Sequence, residues 1–306
     1  MKRILQFVST ASLLLSLSVV ALAQAAPPTP PRILLIVREE IKPGEMPAHQ
    51  QEAAAFIRVL EKANARITDP KLRDGRIGMS PVAGNENEVA YIWPYDSFAD
   101  MEAKQKESDR LSSSPALMKA DFDKLPDNRL HASQRDTLAA FRSDLSYGIG
   151  RIDIAEARYM VITTYRIKPG HDDEYWEMVK KHVFPARDKA GIKASYAIYQ
   201  SVGGLPNGTY FQFRPLRSLA ELDERAPIAT RNAMSNETKD EVDKLTDRTL
   251  LSSETMIYRI NPRISHVAAE MAARDKSPTP FWNPKPEPES MSAERKPAGR
   301  SARRQQ

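Results

Sequence analysis

Apolar and polar positions along this chain fall into the same succession twice. Residues 33–37 (Ile33-Leu34-Leu35-Ile36-Val37) form an apolar run without alternation, and Tyr159-Met160-Val161-Ile162-Thr163 forms another. Such runs read as strands buried on both faces. Each closes at a Lys-Pro-Gly turn (Lys42-Pro43-Gly44 and Lys168-Pro169-Gly170), where proline cannot extend a ladder and glycine permits the bend. A helical stripe follows: Phe56, Ile57, Leu60 and Ala63 in the first case, Tyr175, Met178, Val179 and Val183 in the second. A hairpin is next, clearest at residues 194–202 and 209–214 around the Gly/Pro/Asn-rich turn 203–208. Ser97 and Ser218 are placed to cap a second helix. Final strands are predicted around residues 145–149 and 255–260.

The second succession repeats the first at a nearly fixed spacing. Ile41-Lys42-Pro43-Gly44 returns 126 residues later as Ile167-Lys168-Pro169-Gly170. Pro94-Tyr95-Asp96-Ser97 returns after 121 residues as Pro215-Leu216-Arg217-Ser218, and Asp123-Lys124-Leu125 returns after 120 as Asp243-Lys244-Leu245. The expected fold is therefore α+β, with two tandem ferredoxin-like β-α-β-β-α-β repeats over residues 32–150 and 158–261. Right-handed crossovers put both helices of a repeat on one sheet face, which leaves the other bare. The doubly apolar first strands need cover on both sides, so the two bare faces are expected to close an α/β barrel within one chain. That pseudo-dimer predicts a monomer.

Several runs resemble the dimeric α/β-barrel superfamily, and within it the NIPSNAP-type domains. These are Tyr165-Arg166-Ile167-Lys168-Pro169-Gly170, the helix start Asp172-Asp173-Glu174-Tyr175-Trp176, and the segment from Tyr210 to Glu221. The resemblance spans residues 158–260 well and 32–150 more loosely. The first repeat departs by longer connections and by Trp93 at the position of Arg214. It implies two units enclosing a cavity, in a superfamily that includes haem-degrading and antibiotic-biosynthesis monooxygenases, small isomerases and domains without known activity.

The ends differ from this frame. Lys2 and Arg3, an apolar stretch over 13–21 and Ala21-Leu22-Ala23 make residues 1–23 a secretory signal, too short in its apolar core to serve as an anchor. The chain is thus expected to be exported, to a periplasm or the exterior, with no transmembrane anchor after cleavage. A proline-rich linker occupies 24–31. A short helix over 262–275 is expected from Asn261 as N-cap, Pro262, and the spacing of Ile264, Val267, Ala268 and Met271. Residues 276–306, rich in Pro, Lys, Arg, Glu and Ser, are expected to be a disordered tail. The net charge of +5 belongs to the ends: residues 1–23 carry two positive charges and 274–306 a net four, which leaves 24–273 at −1. A near-neutral core argues against nucleic acid as a partner. With no cysteine, neither disulfides nor a thiol nucleophile is available.

Candidate chemistry is sparse. The five histidines, His49, His131, His171, His182 and His266, include no pair at i, i+3 or i, i+4, so no metal site is expected. His182 follows Val179 by three residues and is a weak catalytic candidate, as general base or haem ligand. Tyr210, Gln212 and Arg214 share one face of a strand and are the candidate ligand-binding set, with Arg214 a second weak catalytic candidate. If that face lines the barrel, it can hold a carboxylate or carbonyl. No cofactor is required by the sequence, although haem or flavin fits the resemblance. The expected function is binding of a small, partly apolar molecule in the barrel. The alternatives are a monooxygenase-like or haem-handling enzyme, and a scaffold with a filled barrel. A cavity of about 300 Å³ or more separates the ligand-binding readings from the scaffold.

Overall fold

A computed structural model describes residues 29–125, 128–151 and 153–284; the predicted signal segment 1–23, residues 24–28 of the predicted linker and residues 285–306 lie outside these. The strands are β1 (Ile33–Ile41), β2 (Ile77–Ala83), β3 (Glu88–Tyr95), β4 (His131–Tyr147), β5 (Tyr159–Ile167), β6 (Tyr196–Gly203), β7 (Thr209–Leu216) and β8 (Leu250–Ile260). The helices are α1 (Met46–Arg66), α2 (Phe98–Ser113), α3 (Lys119–Phe122), α4 (Asp172–Met178), α5 (Phe184–Lys189), α6 (Ala226–Asn232), α7 (Asn236–Thr249) and α8 (Ala269–Ala272).

The eight strands close a barrel in the order β1-β3-β2-β8-β5-β7-β6-β4, and every neighbouring pair is antiparallel. Residues of corresponding number meet in the same register in each half. Ile33 opposes Tyr95 and Arg38 opposes Ala90; Tyr159 opposes Leu216 and Thr164 opposes Phe211. The halves join at two seams, β2 with β8 and β4 with β6. Among the described residues, no helix is long and apolar enough to cross a membrane.

Period-two alternation sorts the strand residues between two layers. Leu34, Ile36, Ala90, Ile92, Met160, Ile162, Phe211, Phe213, Met256 and Tyr258 pack into the main core, which occupies the barrel interior. The space left there is about 10 Å³, bounded by Ile36, Arg38, Ala90, Ile162, Thr164, Phe211, Met256 and Tyr258. That is the lower edge of what one water needs. The expected ligand site inside the barrel is therefore corrected: aromatic and thioether side chains fill it.

A charged group set lies inside. Arg38 pairs with Glu88 at 2.7 Å, and the Tyr258 hydroxyl donates to the same carboxylate. Removing one partner strands the other charge in an apolar interior, so Glu88→Ala should cost about 2–4 kcal/mol in urea denaturation, and the double variant Arg38→Met/Glu88→Leu should recover most of that loss.

Helices cover the outer face. α1 buries Ile57, Leu60 and Ala63 of its predicted stripe, leaves Phe56 half-buried, and adds His49, Ala53 and Asn64. The Ser97 hydroxyl accepts from the Asp100 amide at the start of α2. In the second half Ser218 and Glu221 form a capping box, but on a 3-10 turn (Leu219–Glu224) that leads into α6 and α7 rather than on one continuous helix. Helices α4 and α5 are joined by a π turn, Val179–Val183. Pro185 explains it: proline has no amide to offer the carbonyl four residues back, and its ring crowds that carbonyl. Widening the helix relieves the conflict, and the Phe184 amide bonds the Val179 carbonyl instead.

Three expected boundaries move. β4 starts at His131, far before residue 145, and β8 starts at Leu250. The helix expected over 262–275 is instead a 3-10 turn (Pro262–Ile264) with Asn261 accepting from Arg263, then a bridge from His266 to Arg76, then the single turn of α8. The stretch 276–284 is part of the fold rather than of a tail. Trp282 is buried in the main core, and its indole donates to the Ala155 carbonyl at 2.7 Å.

Candidate functional site

A cavity lies outside the barrel, between the outer face of β5, β6 and β7 and the helices of the second half. Its volume is about 330 Å³, within the range of small-molecule pockets. The sheet supplies its floor through Tyr165, Tyr196 and Gln212, which alternation turns away from the interior. The α4–π–α5 segment supplies Tyr175, Trp176, Met178, Val179, Val183 and Arg187. α6 and α7 contribute Thr230, Arg231, Val242 and Thr246, with Met234 between them. Arg231 and Asp243 pair at 2.7 Å across the two helices, half-exposed at the edge of the site.

Four aromatic rings set its character. Tyr165 stands edge-on to Trp176 with centroids 6.3 Å apart, and Tyr175 does so at 5.2 Å. Burial pushes the Tyr165 phenol up to about 12 and raises Tyr175 and Tyr196 further, so all three are neutral hydrogen-bond donors at ordinary pH. The Tyr165 hydroxyl donates to Gln212 Oε1 at 3.3 Å, which leaves the Gln212 amide nitrogen to address a ligand acceptor.

Arg187 is the one buried cation in the wall, only 8 % exposed. Its Nη2 donates to the Ala194 carbonyl at 2.8 Å, and its guanidinium lies over the rings of Tyr147 and Tyr196 at 4.5 and 5.2 Å. Its Nε has no hydrogen-bond partner among the described residues, and no carboxylate there pairs with it. An arginine keeps its charge in any folded environment. A buried cation with an unused donor stabilises an anion or a strongly polar oxygen brought beside it.

The sequence-predicted residues are placed as follows. Tyr210, Gln212 and Arg214 do share one face, but it is the outer, helix-covered face, and Phe211 and Phe213 point into the barrel. Only Gln212 lines the cavity. The Tyr210 hydroxyl donates to Asp172 at 2.7 Å and ties the start of α4 to β7. Arg214 donates to the Glu221 carbonyl at 3.1 Å and lies 3.6 Å from Glu224, so it anchors the 3-10 turn to the strand end. His182 belongs to the π turn but does not line the cavity; its Nε2 lies 3.3 Å from Glu241 on α7. Arg187, Tyr165 and Tyr196 were missed. Extending the stripe Tyr175, Val179, Val183 by one more helical step reaches Arg187, and that signal was available.

No family model matches the chain, and no curated protein matches it. Solved structures resemble it at low identity. A mutant chlorite dismutase from Candidatus Nitrospira defluvii is 8% identical, with 77% of this chain and 94% of that one covered and a TM-score of 0.45. A haem-binding protein from Thermus thermophilus is 11% identical, with 78% and 95% covered and a TM-score of 0.43. An anthrone oxidase-like protein is 12% identical, with 75% and 91% covered and a TM-score of 0.43.

Proposed function

We propose that the chain is a tandem pair of ferredoxin-like units, exported by its leader, whose second unit binds a small aromatic molecule carrying an anionic or carbonyl oxygen. The equal registers of the two halves support the tandem reading. The observation that carries the binding reading is the unpaired Arg187 guanidinium at an aromatic-walled cavity of about 330 Å³. The rings supply flat apolar contact, and Arg187 with the Gln212 amide fixes the polar end. Titration of the protein with aromatic carboxylates, read by quenching of Trp176 fluorescence, tests it. Binding should weaken at least about tenfold in Arg187→Gln, the loss of one charge-assisted hydrogen bond in a dry site. Equal affinity of the two proteins for the carboxylates contradicts it.

A second reading, an oxygenase or haem-handling enzyme of the dimeric α/β-barrel kind, uses the same cavity. The π turn in the cavity wall favours it, because such turns are frequent at functional sites. His182 does not fit the axial ligand of a haem there, since its Nε2 faces Glu241. Oxidation of the bound aromatic is the form of this reading that the lining residues admit. A haem or flavin absorbance band in the purified protein, or oxygen consumption on adding an aromatic ligand, favours it over simple binding.

A further inference from the structure

The first half carries different chemistry at the same place in the fold. By the 126- and 121-residue spacing, the positions of Tyr165, Tyr175 and Gln212 are taken by Glu39 on β1, His49 on α1 and Tyr91 on β3. His131, the first residue of β4, joins them. One ligand atom from each of Glu39, His49 and His131 lies within 4.8 Å of the others. Glu39 Oε2 is 3.4 Å from His49 Nε2 and 3.6 Å from His131 Nε2, and the two imidazoles stand edge-on with centroids 5.3 Å apart.

We propose that Glu39, His49 and His131 form a binding site for a divalent transition-metal ion of the zinc class. Metal–ligand bonds of 2.0–2.1 Å in a tetrahedron put neighbouring ligand atoms about 3.3 Å apart. The two measured separations from Glu39 Oε2 are close to that edge. The ligand set, two imidazoles and one carboxylate, suits zinc and leaves a fourth position open. The Tyr91 hydroxyl lies 3.0 Å from His49 Nε2.

The residues show an unmet need. His49 is 4 % exposed, and Glu39 Oε2 is buried without a hydrogen-bond partner among the described residues. The nearby buried cation does not answer it. Arg76 lies over the rings of Phe56 and Tyr91 at 4.2 Å each and donates to the Ala53 carbonyl, with no ion pair to Glu39. Its charge opposes a metal at longer range. A buried carboxylate without a donor is costly unless a cation reaches it.

The sequence offered no short spacing because the three ligands come from a strand, a helix and a strand 82 residues beyond the helix histidine. The other His–carboxylate contacts are two-membered. His171 with Glu174, for example, is a surface i, i+3 pair.

The test uses the full chain stripped with a chelator and then titrated with Zn²⁺, and with Co²⁺ as a spectroscopic substitute. One ion per chain should bind, raise the melting temperature, and give the visible d–d bands of four-coordinate Co²⁺ with nitrogen and oxygen ligands. Glu39→Gln and His131→Ala should weaken binding at least about tenfold, as loss of a metal ligand does, and His171→Ala should leave it unchanged. To separate ligation from folding of the variants, diethyl pyrocarbonate modification of the unaltered protein gives a second readout: Zn²⁺ should protect His131 and leave His171 reactive. No stoichiometric binding, six-coordinate Co²⁺ spectra, or a site that survives both variants with His131 unprotected overturns the proposal.

Discussion

Gly204→Ala is expected to destabilise the protein by about 3–5 kcal/mol, enough to cost most of the stability of an ordinary domain. Gly204 follows β6 and has φ +88°. A β-carbon built there falls 2.1 Å from the Asp136 carbonyl oxygen and 3.0 Å from Thr137 Cα. Both are backbone atoms of β4, so no side chain can rotate away. The contact lies at the β4–β6 seam, one of the two that make one barrel of the two halves. Two controls separate the causes. Gly44→Ala has a similar φ of +85° but open space around the new methyl, and should cost only the left-handed strain, about 1–2 kcal/mol. Gly203→Ala has neither strain nor neighbours and should change stability by less than about 0.5 kcal/mol. Denaturant midpoints of the three variants at constant slope measure the order.

Trp282→Ala should cost about 3–5 kcal/mol, the range for emptying a buried aromatic site. Trp282 is 4 % exposed, packs into the same cluster as Met160, Tyr258 and Val267, and donates to the Ala155 carbonyl. The stretch around it is fastened on both sides. Arg158 stacks on Phe281 at 4.1 Å and pairs with Asp275 at 2.7 Å, and the Asn283 side chain bonds both the amide and the carbonyl of Val267. A chain ending at residue 276 should therefore melt as far below the full protein as Trp282→Ala does, or further. An unchanged midpoint would mean that 277–284 contributes nothing to the fold.

Both results bear on what the sequence discloses. The repeated Lys-Pro-Gly turns and apolar runs mark β1 and β5, and their spacing carries over into the paired registers. The start of β4 was hidden because residues 133–136 are exposed and polar, and pairing with β1 holds them extended in place of burial. Trp282 was hidden by its neighbours: one aromatic pair in a Pro- and charge-rich stretch gives no period, although one buried indole outweighs that composition locally.

The site was legible in part. Alternation placed Tyr210, Gln212 and Arg214 on one face, but which face is core depends on how the halves meet, and one residue's shift inverts it. Short spacings among the histidines give no sign of the Glu39, His49 and His131 cluster for a related reason. Glu39, His49 and His131 converge through the closure of β1 against β4 and the return of α1, which no local window contains.

The central claim is that the ligand site lies between the helices and the sheet of the second half, and that the barrel interior is filled. Photolabelling with an aryl-azide carboxylate, followed by peptide mapping, tests it most directly. Adducts are expected on the α4–α5 and α6–α7 segments, near Tyr175, Arg187 and Met234, and should be competed by unlabelled aromatic carboxylates. Saturable adducts on Phe211, Met256 or Tyr258 would place the ligand inside the barrel and contradict the account.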